Sequence, residues 1–577
     1  MSTRTSQSAT TRTSAAGVPP APANRVNIAC VLDDNARKHP DEPAVIVFER
    51  KRAGRREYRR ISFRDLSELS TRYAAGLAAA GVRREMRTVL MVRPGIEFFA
   101  LTFALFKLGA VPVLIDPGIG RRSIVKCLAE IRPQAFIGIP LAHVLRVLHR
   151  RAFSGLQVIV TLGRRWGWGG HSLAQIARRA PGDFAPADTR ASDTAAILFT
   201  SGSTGPSKGV VYTHGIFDAQ VRYLRTAYGY APDEIDLATF PLFALFDAAL
   251  GMTCVIPEMD ATRPGSVDPT SIIDAVGEFG CTHMFGSPAL LDRVSRYAVA
   301  HGVTLPTLKR VMTAGAPVSP RILERTARML APEARIFTPY GATEALPVAS
   351  IDHREVLDEA LPITARGGGV CIGRPLDGLR VRVIEITDQP IADWSQARRC
   401  AVGQVGEITV EGPIVTPAYC EKPRHTALAK INRDGAIVHR MGDVGYFDEH
   451  GRLWFAGRKS QRVRTARGPM FTEMCEQVFN QHPAVRRTAL VGVGPADSQT
   501  PVLCVELEPP ADRPAPAASL TWPNIRDELS AWAQRYDLTR SIRHFLPHRG
   551  FPVDVRHNAK IFREKLAVWA ERQVSAS

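Results

Sequence analysis

The chain has 577 residues, a formal charge of +18, 45% apolar and 23% charged residues. At about 150 residues per domain this length predicts two to four units, and the composition excludes the collagen-like, disordered and membrane-spanning classes. The charge comes mostly from arginines scattered in pairs such as Arg121-Arg122 and Arg486-Arg487, which predicts a solvated basic surface rather than a nucleic-acid groove.

Met1 to Asn24 is rich in Ser, Thr, Ala and Pro, carries no acid and has no apolar run; it reads as a disordered tail rather than a secretory signal. From residue 25 to 457, helical periodicity alternates with short apolar strands. The pattern predicts a helix over Ser67–Ala80, a strand over Val89–Val92, a helix over Glu97–Leu108 and a strand over Val111–Ile115, the alternation of an α/β layered domain. Ala195 to Phe199 then reads as a buried strand. It runs into Thr200, Ser201, Gly202, Ser203, Thr204, Gly205, Pro206, Ser207, Lys208 and Gly209. Glycines that let backbone N–H groups turn toward an anion, hydroxyl donors and one lysine make this a phosphate loop. It is not the G-x-x-x-x-G-K-[ST] pattern, because Gly209 follows Lys208 where that pattern needs a hydroxyl for magnesium. On composition alone, a flexible Ser/Gly linker is the alternative.

Further on, the longest apolar stretch, Phe240 to Pro257, is interrupted by Asp247 and predicts a buried core segment rather than a bilayer span. Tyr340, Gly341, Ala342, Thr343 and Glu344 bring together a flat face for a base, a hydroxyl for a phosphate and a hard oxygen for magnesium. Asp443 can take two vicinal hydroxyls, and Arg458 places a guanidinium just before the basic stretch 458–462. Beyond that joint, residues 463–577 read as a small domain with a strand over Thr488–Val493, a surface loop over Pro509–Pro516, a helix over Asn524–Arg535 and one lysine, Lys560, on a loop. Nine cysteines, in no CxxC pair, predict a reducing cytoplasm.

Together these segments resemble the adenylate-forming superfamily of acyl-CoA synthetases, fatty acyl-AMP ligases, luciferases and peptide-synthetase adenylation domains, from about Asn27 to Leu566. The phosphate loop matches at Thr200 to Gly209, the adenine-binding Gly-Ala-Pro at Gly315, Ala316 and Pro317, the Tyr-Gly-x-Thr-Glu at Tyr340 to Glu344, the ribose-binding aspartate at Asp443, the Gly-Arg at Gly457-Arg458 and the terminal lysine at Lys560. The resemblance implies a large α/β adenylation domain and a small mobile α+β domain that turns about a hinge near Ser460 and Gln461. It implies attack of a carboxylate on the α-phosphate of ATP, with Glu344 holding Mg2+, Lys208 on the β- and γ-phosphates and Lys560 between the reacting anions.

Within that superfamily, Phe106 to Val113, Phe285 to Leu290, His439 to Phe447 and Arg556 to Trp569 resemble the β-lactone synthetases of bacterial long-chain olefin biosynthesis. This implies a 2-alkyl-3-hydroxy fatty acid whose own hydroxyl closes a lactone, with CoA needed only if the chain is an ordinary acyl-CoA ligase, and a setting among other olefin-biosynthesis enzymes. A fatty acyl-AMP ligase is a second alternative; a non-enzymatic basic protein that binds nucleic acid or lipid surfaces is a third. The acyl site is expected at Phe243, Ala244, Phe246, Phe285 and Gly286, where Ala244 replaces a histidine common in the family; plain core packing is the alternative for these phenylalanines. Gln461 departs from the usual hinge residue. His214 and His283 are candidate bases for the hydroxyl.

Overall fold

The computed structural model describes residues 26–180, 182, 184–200, 207–510, 513, 519–553 and 560–575. The tail expected over 1–24, the loop residues Ser201, Gly202, Ser203, Thr204 and Gly205, and most of the loop expected over Pro509–Pro516 lie outside these residues.

Two parallel sheets of the same plan form the first part of the chain. One runs, in spatial order, His171–Ser172, Val158–Thr161, Ala135–Gly138, Arg87–Met91, Val111–Ile115, Thr194–Thr200 and Lys208–Thr213. All neighbours are parallel except the last pair, where Thr200 faces Lys208 across an antiparallel turn. The second sheet runs Arg335–Phe337, Arg310–Met312, His283–Phe285, Ile235–Ala238, Thr253–Ile256, Pro43–Arg52 and Arg55–Ser62, again with one antiparallel edge. Parallel strands need both faces covered, so their sequences are near-continuous apolar runs.

The helix Phe63–Ala79 begins four residues before the expected Ser67, because the Ser62 hydroxyl caps it by accepting the Asp65 N–H and Phe63 and Leu66 bury at once. It packs on Ile96–Lys107, which is buried almost all round. Even Lys107 is inside, with its ammonium 2.6 Å from Asp33 Oδ1 and 2.7 Å from Thr71 Oγ1. The apolar stretch Phe240 to Pro257 divides into the helix Pro241–Leu250, closed by left-handed Gly251, and the strand Thr253–Ile256. Among the described residues no helix is long and apolar enough to cross a membrane.

An antiparallel sheet follows, of Val370–Cys371, Leu453–Arg458, Ala436–Phe447, Gly406–Glu411 and Arg380–Ile384. The turn Lys459–Gln461 leads out of it into the hairpin Val463–Thr465 and Gly468–Met470. Past it, Val485–Val493, Thr500–Leu507 and His544–Pro547 form a small sheet covered by Thr472–Phe479, Trp522–Ala533 and Arg563–Ser575. The first of these strands starts three residues earlier than its apolar run, because Val485 pairs with Leu507. Residues from Val463 to Phe545 pack into a hydrophobic cluster of their own.

Candidate active site

Thr343 and Glu344 form the two-residue tip of a hairpin between Tyr340–Ala342 and Ala345–Ser350. A Cβ on Gly341 would lie 2.8 Å from the Ala345 carbonyl oxygen, so only glycine lets the two strands close. The tip is pinned on three sides. Tyr212 donates its hydroxyl to the Thr343 carbonyl at 2.5 Å. Thr416 donates both its N–H (3.0 Å) and its Oγ1–H (2.9 Å) to the Glu344 carbonyl. Tyr419 donates to Glu344 Oε1 at 2.6 Å, and the Lys208 ammonium rests 4.7 Å from the centre of the Tyr419 ring. Lys208 and Glu344, 136 positions apart, are thus joined through one tyrosine. Burial lowers the Lys208 pKa while Glu344 opposes the shift. Behind them Lys430 donates to Thr416 Oγ1 at 3.2 Å, and burial brings its pKa down to about 7.

Asp443 sits in the long strand Ala436–Phe447, buried, and paired in register with Arg458. The Tyr340 hydroxyl donates to its Oδ2 at 2.7 Å, and Arg458 Nη1 lies 2.7 Å from its Oδ1. That contact is within ion-pair range but is not aligned as a hydrogen bond, so Oδ1 has no donor among the described residues. Burial pushes the carboxyl up and Arg458 pulls it back. Oδ1 is thus charge-paired but keeps a lone pair for a further donor, which a vicinal diol would supply. The Tyr340 phenol, tied to Asp443, belongs to this cluster as well as offering a ring face.

These groups open into a cavity of about 640 Å3 whose polar end carries Lys208, Glu344, Gly315, Arg458 and Lys560. Gly315 has φ +100°, a conformation that a side chain would strain. A second cavity, of about 570 Å3, shares Gly315, Arg458 and Lys560 with the first and adds Ala316, Pro317 and Gln461. Ser460 faces the first, Gln461 the second. The structure therefore brings Lys560, from the C-terminal part of the chain, to Lys208, Glu344, Asp443 and Arg458 from the rest. A single carboxylate, Glu344, suits a magnesium ion that keeps most of its ligands from phosphates and water; among the described residues no cluster of three or more His, Cys, Asp or Glu could hold a metal by itself.

The apolar end of the first cavity is walled by Phe240, Phe243, Phe246, Phe217 and Phe103. Along the helix Pro241–Leu250, residues 242, 243, 245, 246 and 249 line the cavity. Ala244 is on the opposite side, buried in the core, and so is corrected from a wall residue to a packing one: it lies two residues from Leu242, about 200° around the helix. Phe285 is one layer back, edge-on to Phe243 at 4.9 Å. Gly286 is close-packed, with a Cβ there falling 2.8 Å from Leu291.

Neither candidate histidine faces this space. The Ile28 N–H donates to His214 Nδ1 at 3.2 Å, which leaves the proton on Nε2 and makes that nitrogen a donor, and burial holds the pKa at about 4. His283 is locked between Asp236 (2.5 Å) and the Tyr230 hydroxyl (2.6 Å). Neither can serve as the base.

Sequence reasoning missed Tyr419, Lys430 and, above all, Gln220. This glutamine, on the helix His214–Tyr228, is buried and lines the cavity; its Nε2 donates to the Leu346 carbonyl at 2.8 Å, and its Oε1 has no donor among the described residues. Its one signal was a polar residue on the apolar face of an amphipathic helix.

A pair of parallel sheets, a lysine and glutamate joined through one tyrosine, and a lysine brought to them from a small α+β unit fit an adenylate-forming enzyme. Residues 32–420 match the AMP-binding enzyme family. The chain is 52% identical over 558 residues to the olefin β-lactone synthetase of Stenotrophomonas maltophilia, covering 95% of this chain and 98% of that protein. It is 50% identical over 555 residues to the one from Xanthomonas campestris pv. campestris, with the same shares covered. The amide bond synthetase McbA from Marinactinospora thermotolerans has the same fold, with a TM-score of 0.75 at 23% identity over 94% of this chain and 99% of that one. So does the O-succinylbenzoate coenzyme A synthetase MenE from Bacillus subtilis, in complex with AMP, with a TM-score of 0.72 at 18% identity over 94% and 98%. The chain belongs to the AMP-binding enzyme family and, within it, to the olefin β-lactone synthetases.

Proposed function

We propose that the chain activates a 2-alkyl-3-hydroxy fatty acid with ATP, releasing diphosphate, and that the hydroxyl of the bound acyl-AMP then attacks the acyl carbon, closing a four-membered lactone as the acyl–phosphate C–O bond breaks and AMP leaves, its phosphate oxygen taking up the hydroxyl proton. The observation that carries this reading is a single cavity lined both by the cations Lys208, Lys560 and Arg458, the last paired with buried Asp443, and by a wall of phenylalanines beside which Gln220 holds one orphaned acceptor.

Two anions must meet for adenylation, and Lys208, Arg458 and Lys560 supply the positive field in a desolvated site. Magnesium, bound through Glu344 and the phosphates, supplies further neutralisation of charge on the transferred group. Asp443 Oδ1 accepts a ribose hydroxyl. The stretch 458–462 serves as the hinge on which residues 463–577 turn, withdrawing Lys560 once the anhydride has formed. In the second step the enzyme's contribution is chiefly geometric. Gln220 Oε1 accepts the hydroxyl proton in a hydrogen bond and turns the oxygen's lone pair toward the acyl carbon, so that proximity offsets part of the ring strain.

Incubation with ATP, magnesium and a 2-alkyl-3-hydroxy acid, with and without CoA, tests the reading by mass and NMR of the products. A β-lactone and AMP formed without CoA are expected. An acyl-CoA formed only when CoA is present would overturn the cyclisation step.

A further inference from the structure

Far from the cavity in sequence, residues 131–182 contain eight arginines and no aspartate or glutamate. The centre of this segment is the helix Pro140–Leu148, whose sides differ sharply. His143 is fully buried, its Nε2 donating to the Val160 carbonyl at 3.2 Å and its ring stacked on Trp168. The opposite side carries Leu141, Val144 and Leu148 at i, i+3 and i+7, with Leu141 70% and Leu148 73% exposed. A single exposed leucine is ordinary. Two of the largest aliphatic exposures in the chain on one two-turn face are not explained by folding, since neither side chain leaves water.

The neighbouring loop extends the same surface. Arg146 Nη2 donates to the Trp168 carbonyl at 3.0 Å and holds the loop on the helix, while Trp166, 58% exposed and 5.2 Å from the Trp168 ring, stands outward. Gly163 approaches within 3.7 Å of Pro140 where a Cβ would sit, so the loop abuts the start of the helix. Exposed Arg150, Arg151, Arg164 and Arg165 flank the two ends. The helix starts at the carboxyl edge of the first parallel sheet, the edge where Thr200 ends its strand three strands away, about 15 Å at the usual strand spacing, and runs back toward the other edge.

We propose that this face docks on an anionic lipid surface, with Leu141, Leu148 and Trp166 entering the headgroup boundary and the four arginines meeting lipid phosphates. Leucine and tryptophan on one side, rimmed by cations and free of carboxylates, match the interfacial amphipathic pattern. An acidic protein partner would be met by the arginines alone and gives no account of the exposed leucines and tryptophan together with the absence of any hydrogen-bonding acid on the face. Under the function proposed above, docking also brings the enzyme to where a long-chain substrate is dissolved, but the inference stands on the surface itself and its test reads vesicle binding, with turnover only as a control of the fold.

Flotation of the full chain with vesicles of phosphatidylglycerol and of phosphatidylcholine tests it. Binding to the anionic vesicles, weakened by salt, is expected, with at least a tenfold loss in Leu141→Glu/Leu148→Glu and in Arg150→Glu/Arg151→Glu. All four side chains are exposed, so unchanged melting temperature and ATP–pyrophosphate exchange in the variants confirm that the fold is intact. Binding that is equal on both lipids, or unaltered by either pair of substitutions, would overturn the proposal. So would absence of vesicle binding with self-association that the leucine pair abolishes, which would make the face a contact between copies of the chain.

Discussion

Arg563 Nη1 donates to Gln461 Oε1 at 3.2 Å, while Nη2 holds Glu476 at 2.6 Å. The residue at the proposed pivot is therefore bonded to a side chain three positions from Lys560. The unusual glutamine is what makes this possible: it offers a neutral acceptor that the guanidinium can leave without stranding a buried charge. A charge-assisted hydrogen bond contributes about 1.5–3 kcal/mol, which bounds how firmly this arrangement is held. Gln461→Ala is expected to lower ATP–pyrophosphate exchange about tenfold, while consumption of a chemically supplied acyl-AMP is kept. Equal loss of both activities would show that Gln461 acts on folding instead.

Lys560→Ala removes a cation from the polar end of the cavity without touching Lys208 or Arg458. On the scale of losing one preorganised donor, adenylation should fall on the order of a hundred-fold or more. Supplied acyl-AMP should still cyclise, and near-normal exchange in the variant would remove Lys560 from the first step.

Gln220→Leu keeps the volume of the side chain and deletes the orphaned acceptor. Formation of the lactone from a 3-hydroxy acyl-AMP should slow by about tenfold, and adenylation of the corresponding acid lacking the hydroxyl should be unchanged. A matching loss with both acids, measured as exchange rates, would mean that the glutamine only supports the hairpin through Leu346.

Glu407 accepts from Arg440 Nη2 at 2.6 Å and lies 2.9 Å from Lys459 Nζ, beside the cavity and against the proposed hinge stretch 458–462. Arg440 and Glu407 are both buried. Glu407→Gln leaves two cations facing one amide, and removal of one partner of a buried pair costs about 3–5 kcal/mol. The urea midpoint of the variant reports this directly.

The buried imidazoles give a pH signature. His143 and His214 are each lowered from 6.5 to about 4, mainly by burial. Below pH 6.5 the unfolded chain binds protons that the folded chain refuses, so stability is full above that pH and falls as pH drops toward 4. The loss is up to about 3 kcal/mol for each. Urea titrations between pH 7 and 4 should show this limb, and it should be shallower in His143→Asn.

The elements with strong local signals were legible in the chain. The strand Val111–Ile115 falls where its apolar run puts it, and the helix Ile96–Lys107 within a residue of its pattern. Boundaries moved where a partner outside the pattern decided them, as Ser62 does for one helix and Leu507 for one strand. In the candidate site, Glu344, Asp443, Arg458 and Lys560 stood out in the sequence as members of ordered motifs of glycines, hydroxyls and charges, and the structure brings them together around one cavity. Ala244 could not be placed, since its neighbours on both sides are apolar and one turn of helix decides which enters the cavity.

Local chemistry thus determined the alternating architecture and the buried strand that runs into Thr200, because each depends on residues within a few positions of one another. Only the tertiary structure decided that Tyr419 joins Lys208 to Glu344, that Asp443 keeps an oxygen without a donor, that Gln220 faces the aromatic chamber and that His214 and His283 do not. Those outcomes rest on which buried polar atoms find partners across 47 or more positions, and hydrogen bonding at such separations is settled by packing rather than by pattern.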